Sequence, residues 1–352
     1  MFDNIYRNKT VLVTGDTGFK GSWLSIWLKA IGANVIGYAF EPKTNKDNYV
    51  VCGLEQKINH IDGDIRDFEK LKNVLKKYEP EMVFHLAAQA LVLNSYVSPL
   101  ETYSSNVMGT VNVLEAVRDI KSVKAAVMIT TDKCYENKNA MYSYRETDRL
   151  GGEDPYSASK AACELIINSY TKSFFQKGDS ANIASARAGN VIGGGDWSEN
   201  RIVPDCIRAF ENYEPVSIRN PHSIRPWQHV LEPLGGYLKL GKCLLEYGKN
   251  YQGPWNFGPN NKNKVTVKKL VEEIIEKMGK GEINASLDSD QPYESNMLLL
   301  DISKANNQLK WEHKLDFSEM VQLTVDEYQV YDLLAEQIYQ QRLNHIEHYS
   351  SL

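Results

Sequence analysis

Residues 11–21, VLVTGDTGFKG, constrain this chain more than any other stretch. An aliphatic run, Val11-Leu12-Val13, enters a turn carrying Gly15, Gly18 and Gly21, after which Ser22, Trp23, Leu24, Ile26, Trp27 and Leu28 continue at helical spacing. Strand, glycine turn and helix in that order open a doubly wound α/β sheet. Glycines let the turn bend sharply and let a pyrophosphate approach the backbone, while the helix N-terminus offers unpaired N–H groups and partial positive charge. Gly15, Thr17, Gly18, Phe19, Lys20 and Gly21 are therefore candidate dinucleotide-binding residues. A bare three-glycine turn also serves purely structural ends; its place between a strand and a helix favours the binding role.

Strand and helix signals alternate downstream, with strands expected at 33–38, 57–61, 82–88, 125–130 and 184–190, and helices at 68–77 and 101–119. Such alternation argues a Rossmann-type doubly wound parallel sheet with right-handed crossovers. The 352 residues suffice for that sheet and a smaller C-terminal substrate-binding lobe. The dinucleotide-binding domain is expected over residues 1–189, with about 229–258 returning to it, and the smaller lobe mainly over 190–352, from the glycine loop Gly193-Gly194-Gly195 onward. An amphipathic helix at 265–278 falls in that lobe, and one C-terminal helix, 317–345, is expected at the periphery.

A net charge of −5, with 40 dispersed Lys and Arg residues, offers no basic surface for nucleic acid. No apolar run approaches the roughly 18 residues of a membrane span, and the opening MFDNIYRNK lacks a signal peptide's apolar core, so a soluble cytoplasmic protein is expected. Cys52, Cys134, Cys163, Cys206 and Cys243 form no C-x-x-C pair, which argues against a disulfide framework and against a metal site.

In doubly wound sheets ligands bind beyond the carboxyl ends of the strands, where polar residues gather here. Asp62 and Asp64 follow the third strand; a carboxylate there can accept from an adenine amino group or stand solvated. His85, Ala87, Ala88 and Gln89 end the fourth, where small residues let a cofactor pass close or simply pack a strand end. NAD-binding turns usually have an acid about 20 positions on for the ribose hydroxyls. Ala39 stands there, with Glu41 just beyond, while Asp16 opposes a 2′-phosphate by like-charge repulsion, which favours NAD.

The fifth strand ends in Thr130-Thr131-Asp132-Lys133, and DPYSASK follows at 154–160. Asp154 can cap a helix and Pro155 can occupy its first turn, which puts Tyr156 and Lys160 one turn apart on one face. A phenol titrates near ~10, so a phenolate usable near neutrality needs a depression of about 3 units, roughly 4 kcal/mol. A neighbouring lysine and a nicotinamide cation can supply it. A lone Y-x-x-x-K pair is commonly a surface pair; the glycine turn and Thr131 in the same order make it a catalytic candidate.

Together TGDTGFKG, HLAAQ, SNVMGT, TTDKCYEN, DPYSASK and RAGNVIGGGDW resemble an extended short-chain dehydrogenase/reductase over nearly the whole chain. Asp132-Lys133 and the stretch 218–238, IRNPHSIRPWQHVLEPLGGYL, resemble the branch that 4,6-dehydrates cytidine-diphosphate sugars such as CDP-glucose. The resemblance implies NAD held by the glycine turn with Asp64, Ile65, Leu86, Ala87, Ala88, Gln89, Asn106, Thr130, Tyr156 and Lys160. It also implies a nucleotide sugar on the smaller lobe and a homodimer built through helices beginning near Glu101 and Pro155. Gln89, Asn190, Arg201 and Arg225 are substrate-binding candidates, the arginines because forked, permanently charged donors suit phosphate oxygens. Trp227, Gln228 and His229 either shape that pocket or pack between the lobes.

A 4,6-dehydration removes hydride from the sugar C4 while Tyr156 takes the hydroxyl proton and Thr131 bonds the same oxygen. The new ketone acidifies the C5 hydrogen; elimination then needs a base at C5 and an acid at O6, before hydride returns to C6. Asp132 is assigned to O6 and Lys133 to C5. The dTDP-glucose dehydratases carry glutamate where Lys133 stands. A lysine base must be neutral against a reference near ~10.4, and Asp132 favours its charged form, so Lys133 is either that base or an electrostatic partner. A nucleotide-sugar 4-epimerase needs no chemistry at C5 or O6, which the Asp132-Lys133 pair argues against. A non-catalytic dinucleotide-binding protein has no use for Thr131, Tyr156 and Lys160 together.

Overall fold

The computed structural model describes residues 2–138, 142–260, 265–284, 298–330 and 332–352. Strands β1 (Thr10–Thr14), β2 (Asn34–Ala39), β3 (Asn59–Asp62), β4 (Met82–His85), β5 (Ala125–Ile129), β6 (Asn182–Ala188) and β7 (Gly253–Phe257) form one sheet in the order β7-β6-β5-β4-β1-β2-β3. Every pairing is parallel. The chain winds outward from β1 to β3, then restarts at β4 on the other side of β1. The carboxyl ends of β1 and β4 thus border the crevice where such sheets bind ligands.

Apolar side chains face both ways because both faces are covered. Val11 and Val13 enter a core with Trp23 and Trp27 of α1 (Phe19–Ala30), whereas Leu12 enters the opposite core with Leu71 of α2 (Phe68–Tyr78), Val113 of α3 (Gly109–Asp119) and Cys163 of α4 (Pro155–Phe174). Further along are α5 (Ile202–Glu211), α6 (Leu231–Tyr247), α7 (Val267–Met278), α8 (Phe317–Tyr328) and α9 (Ala335–Ser351). α6 packs beneath β5 and β6, and β7 extends the sheet beside β6. No helix among the described residues is long and apolar enough to cross a membrane.

Three expectations need correction. β4 ends at His85, short of 88, because the N–H groups of Leu86 and Ala87 turn to bond Thr14. Gly15 permits this: its φ is +77°, and a Cβ there would lie 2.8 Å from the Ala87 nitrogen. The segment 101–119 is not one regular helix. Pro99–Tyr103 passes through a π-helical turn, Ser104–Met108, before α3, a feature common at functional sites. The C-terminal stretch is two helices, each with its own start: Asp316 accepts from the Glu319 N–H at α8, and Gln337 accepts from the Leu334 N–H at α9. Nor is it peripheral. Tyr349 meets Trp27 edge-on at 5.7 Å, and fully buried Arg342 donates to Asn48 and to the Glu327 carbonyl. Arg342 looks solvated in sequence because one of its partners, Asn48, lies 294 residues away.

Candidate active site

The glycine turn meets the demands of a dinucleotide cradle. Gly18 N-caps α1 with no side chain folded over the first turn, leaving those N–H groups uncapped. A Cβ on Gly21 would sit 1.9 Å from the Gly15 carbonyl oxygen, so only glycine lets α1 pack this close to β1. Thr17 donates to the Phe40 carbonyl at 2.8 Å, fixing the turn to the end of β2. Asp16 does not stand open at the turn's mouth: its carboxylate lies fully buried over Gly37 and 2.8 Å from His60 Nδ1.

At the end of β3, Asp64 pairs with Arg66 at 2.6 Å, and its carbonyl accepts from the Tyr38 hydroxyl. Ile65 is buried against Gly109 at the start of α3. Beyond β4, both ends of the Gln89 amide are spent, on Leu91 of its own loop and on Thr102 of the helical segment Pro99–Tyr103, so this side chain fixes the loop to that segment. Asn106, in the π-helical turn, accepts from the Gln89 N–H at 2.8 Å and donates to the Gln89 carbonyl and to Ser159 of α4. It ties the loop carrying Ala87 and Ala88 to the helix carrying Tyr156 and Lys160.

α4 begins as its sequence dictates: the Asp154 side chain accepts from the Ser157 N–H and Pro155 fills the first position. Tyr156 is buried. Burial pushes its phenol up to about 12, against the pull of a hydrogen bond with Thr131 and of the Arg201 guanidinium. Lys160, buried one turn on, donates to the Ile129 carbonyl at 3.3 Å, and burial lowers its ammonium. Thr131 caps the short turn Asp132–Cys134, accepting from the Lys133 N–H and donating to Asp132 Oδ1 at 3.0 Å. Asp132 is 2% exposed, with its carboxylate over Gly189, where a Cβ would lie 1.9 Å from Oδ2.

The opposite wall, reached by Arg201, comes from the later chain, on which the candidates Asn190 and Arg225 also lie. Asn190 adopts φ +42°, a conformation asparagine tolerates, and its carbonyl accepts from the Gln228 N–H. Arg201 N-caps α5 and pairs with Asp196 at 2.7 Å. Arg225 lies on the short strand Ile224–Arg225, paired antiparallel with Val265–Thr266. Lys20 belongs with this wall as well as with the cofactor turn. Burial first, then Arg201 and Lys160, bring its ammonium down to about 8, while Asp132 and Asp196 act the other way.

Sequence reasoning missed the groups that hold this wall. The Gly194 N–H donates to the Glu327 carboxylate at 2.6 Å, the Tyr328 hydroxyl donates to the Asp196 carbonyl, and Trp23 donates to the Gly194 carbonyl. No local signal marks Glu327, which stands 133 residues from Gly194. Burial would raise this carboxyl; His229 at 3.2 Å, His345 at 2.9 Å and Arg342 overcome it and hold the group well below the usual range. A carboxyl lowered in the fold adds stability above its unfolded value near ~4.3, and that contribution is lost as pH falls through and below it. Glu327→Gln should therefore lower Tm at pH 7 by several degrees, with the gap to wild type shrinking toward pH 3 in calorimetric scans. An equal gap at both values would show that the charge of Glu327 contributes nothing.

The chain is similar to known proteins over most of its length. The sequence profile of the GDP-mannose 4,6 dehydratase family matches residues 12–324. A CDP-glucose 4,6-dehydratase of Salmonella typhimurium is 47% identical over 321 residues, covering 90% of this chain and 89% of that protein. Among solved structures, an epimerase from Methanothermobacter thermautotrophicus superposes with a TM-score of 0.79 at 25% identity over 96% of both chains. A dTDP-glucose 4,6-dehydratase from Bacillus anthracis in complex with NAD gives 0.75 at 23% identity, over 91% of this chain and 96% of that one, a likeness of fold. With the profile spanning most of the sequence and a dehydratase nearly half identical along its length, the chain belongs to the GDP-mannose 4,6 dehydratase family, within the extended short-chain dehydrogenase/reductases.

Proposed function

We propose that the chain converts CDP-D-glucose to CDP-4-keto-6-deoxy-D-glucose and water, using NAD as a resident, regenerated cofactor. One observation supports this above the rest: buried Asp132 and its neighbour Lys133 follow Thr131 in the short turn just past β5, and the Asp132 carboxylate and the Thr131 hydroxyl both act on Tyr156. Oxidation at C4 alone would not call for that second acid/base pair. The substrate follows from the 47%-identical CDP-glucose enzyme.

Tyr156 accepts the proton of the 4-hydroxyl, while Thr131, bonded to Tyr156, holds the same oxygen. The chemistry that NAD supplies when bound is reversible hydride transfer, out of C4 and back into C6. The glycine turn, Asp64 and the Ala87-Ala88 loop hold the dinucleotide, and Lys160, anchored on Ile129, orients its end nearest Tyr156. Asp132 gives its proton to O6 as Lys133 takes the proton from C5, so that water departs, and Lys133 returns a proton to C5 when C6 is reduced. Each such role contributes about 10²–10⁴-fold. Arg201, Arg225 and Asn190 take the nucleotide pyrophosphate. Residues 1–189, with about 229–258, form the dinucleotide lobe, and the remainder mainly the sugar-nucleotide lobe.

The protein acts as a cytoplasmic homodimer in this reading. Supporting the dimer, Val97 and Leu100 are 82% and 83% exposed, with Tyr96, Met108 and Leu165 also exposed, on helical segments that pack together around α4. Incubation with CDP-glucose and NAD should give a 4-keto product about 18 Da lighter than the substrate by mass spectrometry. Unchanged mass with inverted C4 would replace this reading by a 4-epimerase. Dehydration of dTDP-, UDP- or GDP-glucose but not CDP-glucose would overturn the choice of base alone.

A further inference from the structure

We propose that Glu164 and Arg187 are positioning residues that clamp both flanks of Thr131-Asp132-Lys133 onto the helix carrying Tyr156 and Lys160. The inference rests on the dehydratase reading and goes beyond it. Glu164 lies on α4 one turn past Lys160, and both members of the pair are 3% exposed. Its Oε1 accepts from the Thr130 hydroxyl at 2.5 Å; its Oε2 accepts from Ser185 and from Arg187 Nη2, each at 2.7 Å. Thr130 immediately precedes Thr131, so this carboxylate fixes the near side of the catalytic turn.

Arg187, on β6, fixes the far side. Its Nη1 donates to the Tyr135 hydroxyl at 2.8 Å and to the Glu146 carbonyl at 3.1 Å. Tyr135, two residues past Lys133, donates in turn to Asn256 of β7 at 2.7 Å. One ion pair thereby connects α4, β5, β6 and β7 around three residues assigned to three different proton or hydrogen-bond roles.

Stability is a poor reason for such a pair. Desolvating two charges costs heavily, and replacing a buried pair by apolar side chains of similar volume is often neutral or stabilising. What apolar side chains cannot supply is the directed bonds to Thr130 and Tyr135. Misplacing a catalytic group by about 1 Å can cost on the order of 10²-fold in rate. Glu164 also faces Lys160 electrostatically. Burial lowers that ammonium, and Cys163, Glu164 and Cys134 act against this, while His85 and Lys20 are the cationic or titratable groups turned toward it from β4 and α1.

The test uses steady-state dehydration of CDP-glucose with NAD, in which an inactive wild type would refute the proposed function rather than this inference. Glu164→Leu combined with Arg187→Met should fold, keep KM within about threefold and lose about 10²-fold in kcat. Glu164→Gln should lower kcat by about 10-fold and move the alkaline limb of its pH profile to lower pH, since Lys160 then loses its proton more easily. A folded double variant with kcat within threefold of wild type would overturn the proposal. Should the double variant fail to fold, Glu164→Gln with wild-type kcat and an unmoved alkaline limb would overturn it equally.

Discussion

Replacing Tyr156 by phenylalanine is expected to lower kcat by about 10³-fold, equivalent to about 4 kcal/mol of transition-state stabilisation, with little change in KM. Phenylalanine fills the same buried volume at the start of α4, and the Asp154 cap and Pro155 are untouched, so the fold loses no packing there. What disappears is the phenolic oxygen that meets Thr131 and that Arg201 draws toward ionisation. Because C4 oxidation is the first step, the variant should also show no near-ultraviolet absorbance of NADH in a single turnover. A variant retaining a tenth of wild-type turnover would move the C4 base elsewhere.

Asp132→Asn should separate the two halves of the reaction. Asparagine is isosteric, so it fits the space over Gly189 that admits no extra atom, and it can still accept from the Thr131 hydroxyl. It cannot protonate O6. Overall dehydration is expected to fall by about 10²–10³-fold while C4 oxidation persists, so that NADH absorbance builds toward one per site under single-turnover conditions. Full dehydration by this variant would mean that another group protonates O6; Lys20, brought down to about 8 and under the influence of the Asp132 charge, is one alternative.

Much of this architecture was legible in sequence because its signals are local. The spacing of Gly15, Gly18 and Gly21 reflects close packing: a Cβ would lie 2.8 Å from the Ala87 nitrogen at Gly15, and 3.3 Å and 1.9 Å from the Gly15 carbonyl oxygen at Gly18 and Gly21. Asp154, Pro155, Tyr156 and Lys160 read as a capped helix because capping and i,i+4 spacing involve near neighbours. The features that escaped depend on distant partners. Glu327 reads as one more acid on an amphipathic helix until His229, 98 residues away, and Gly194 come to meet it. Lys20 reads as a turn residue, yet its ammonium feels the charges of Arg201, Asp132 and Asp196, from distant parts of the chain. Asp16 reads as a charge facing the cofactor, but the small Gly37 lets its carboxylate drop onto the sheet beside His60. Glu164 offered a faint signal, one turn beyond Lys160, whose meaning depends on Arg187 of a strand formed later.

The account stands on one hydride leaving C4 and returning to C6 of the same sugar within one closed site. CDP-glucose carrying deuterium at C4 should therefore yield a 4-keto product with that deuterium in the C6 methyl group, read by NMR and mass spectrometry. Deuterium retained at C4 of an inverted sugar, or absent from the methyl group of a dehydrated product, would contradict it.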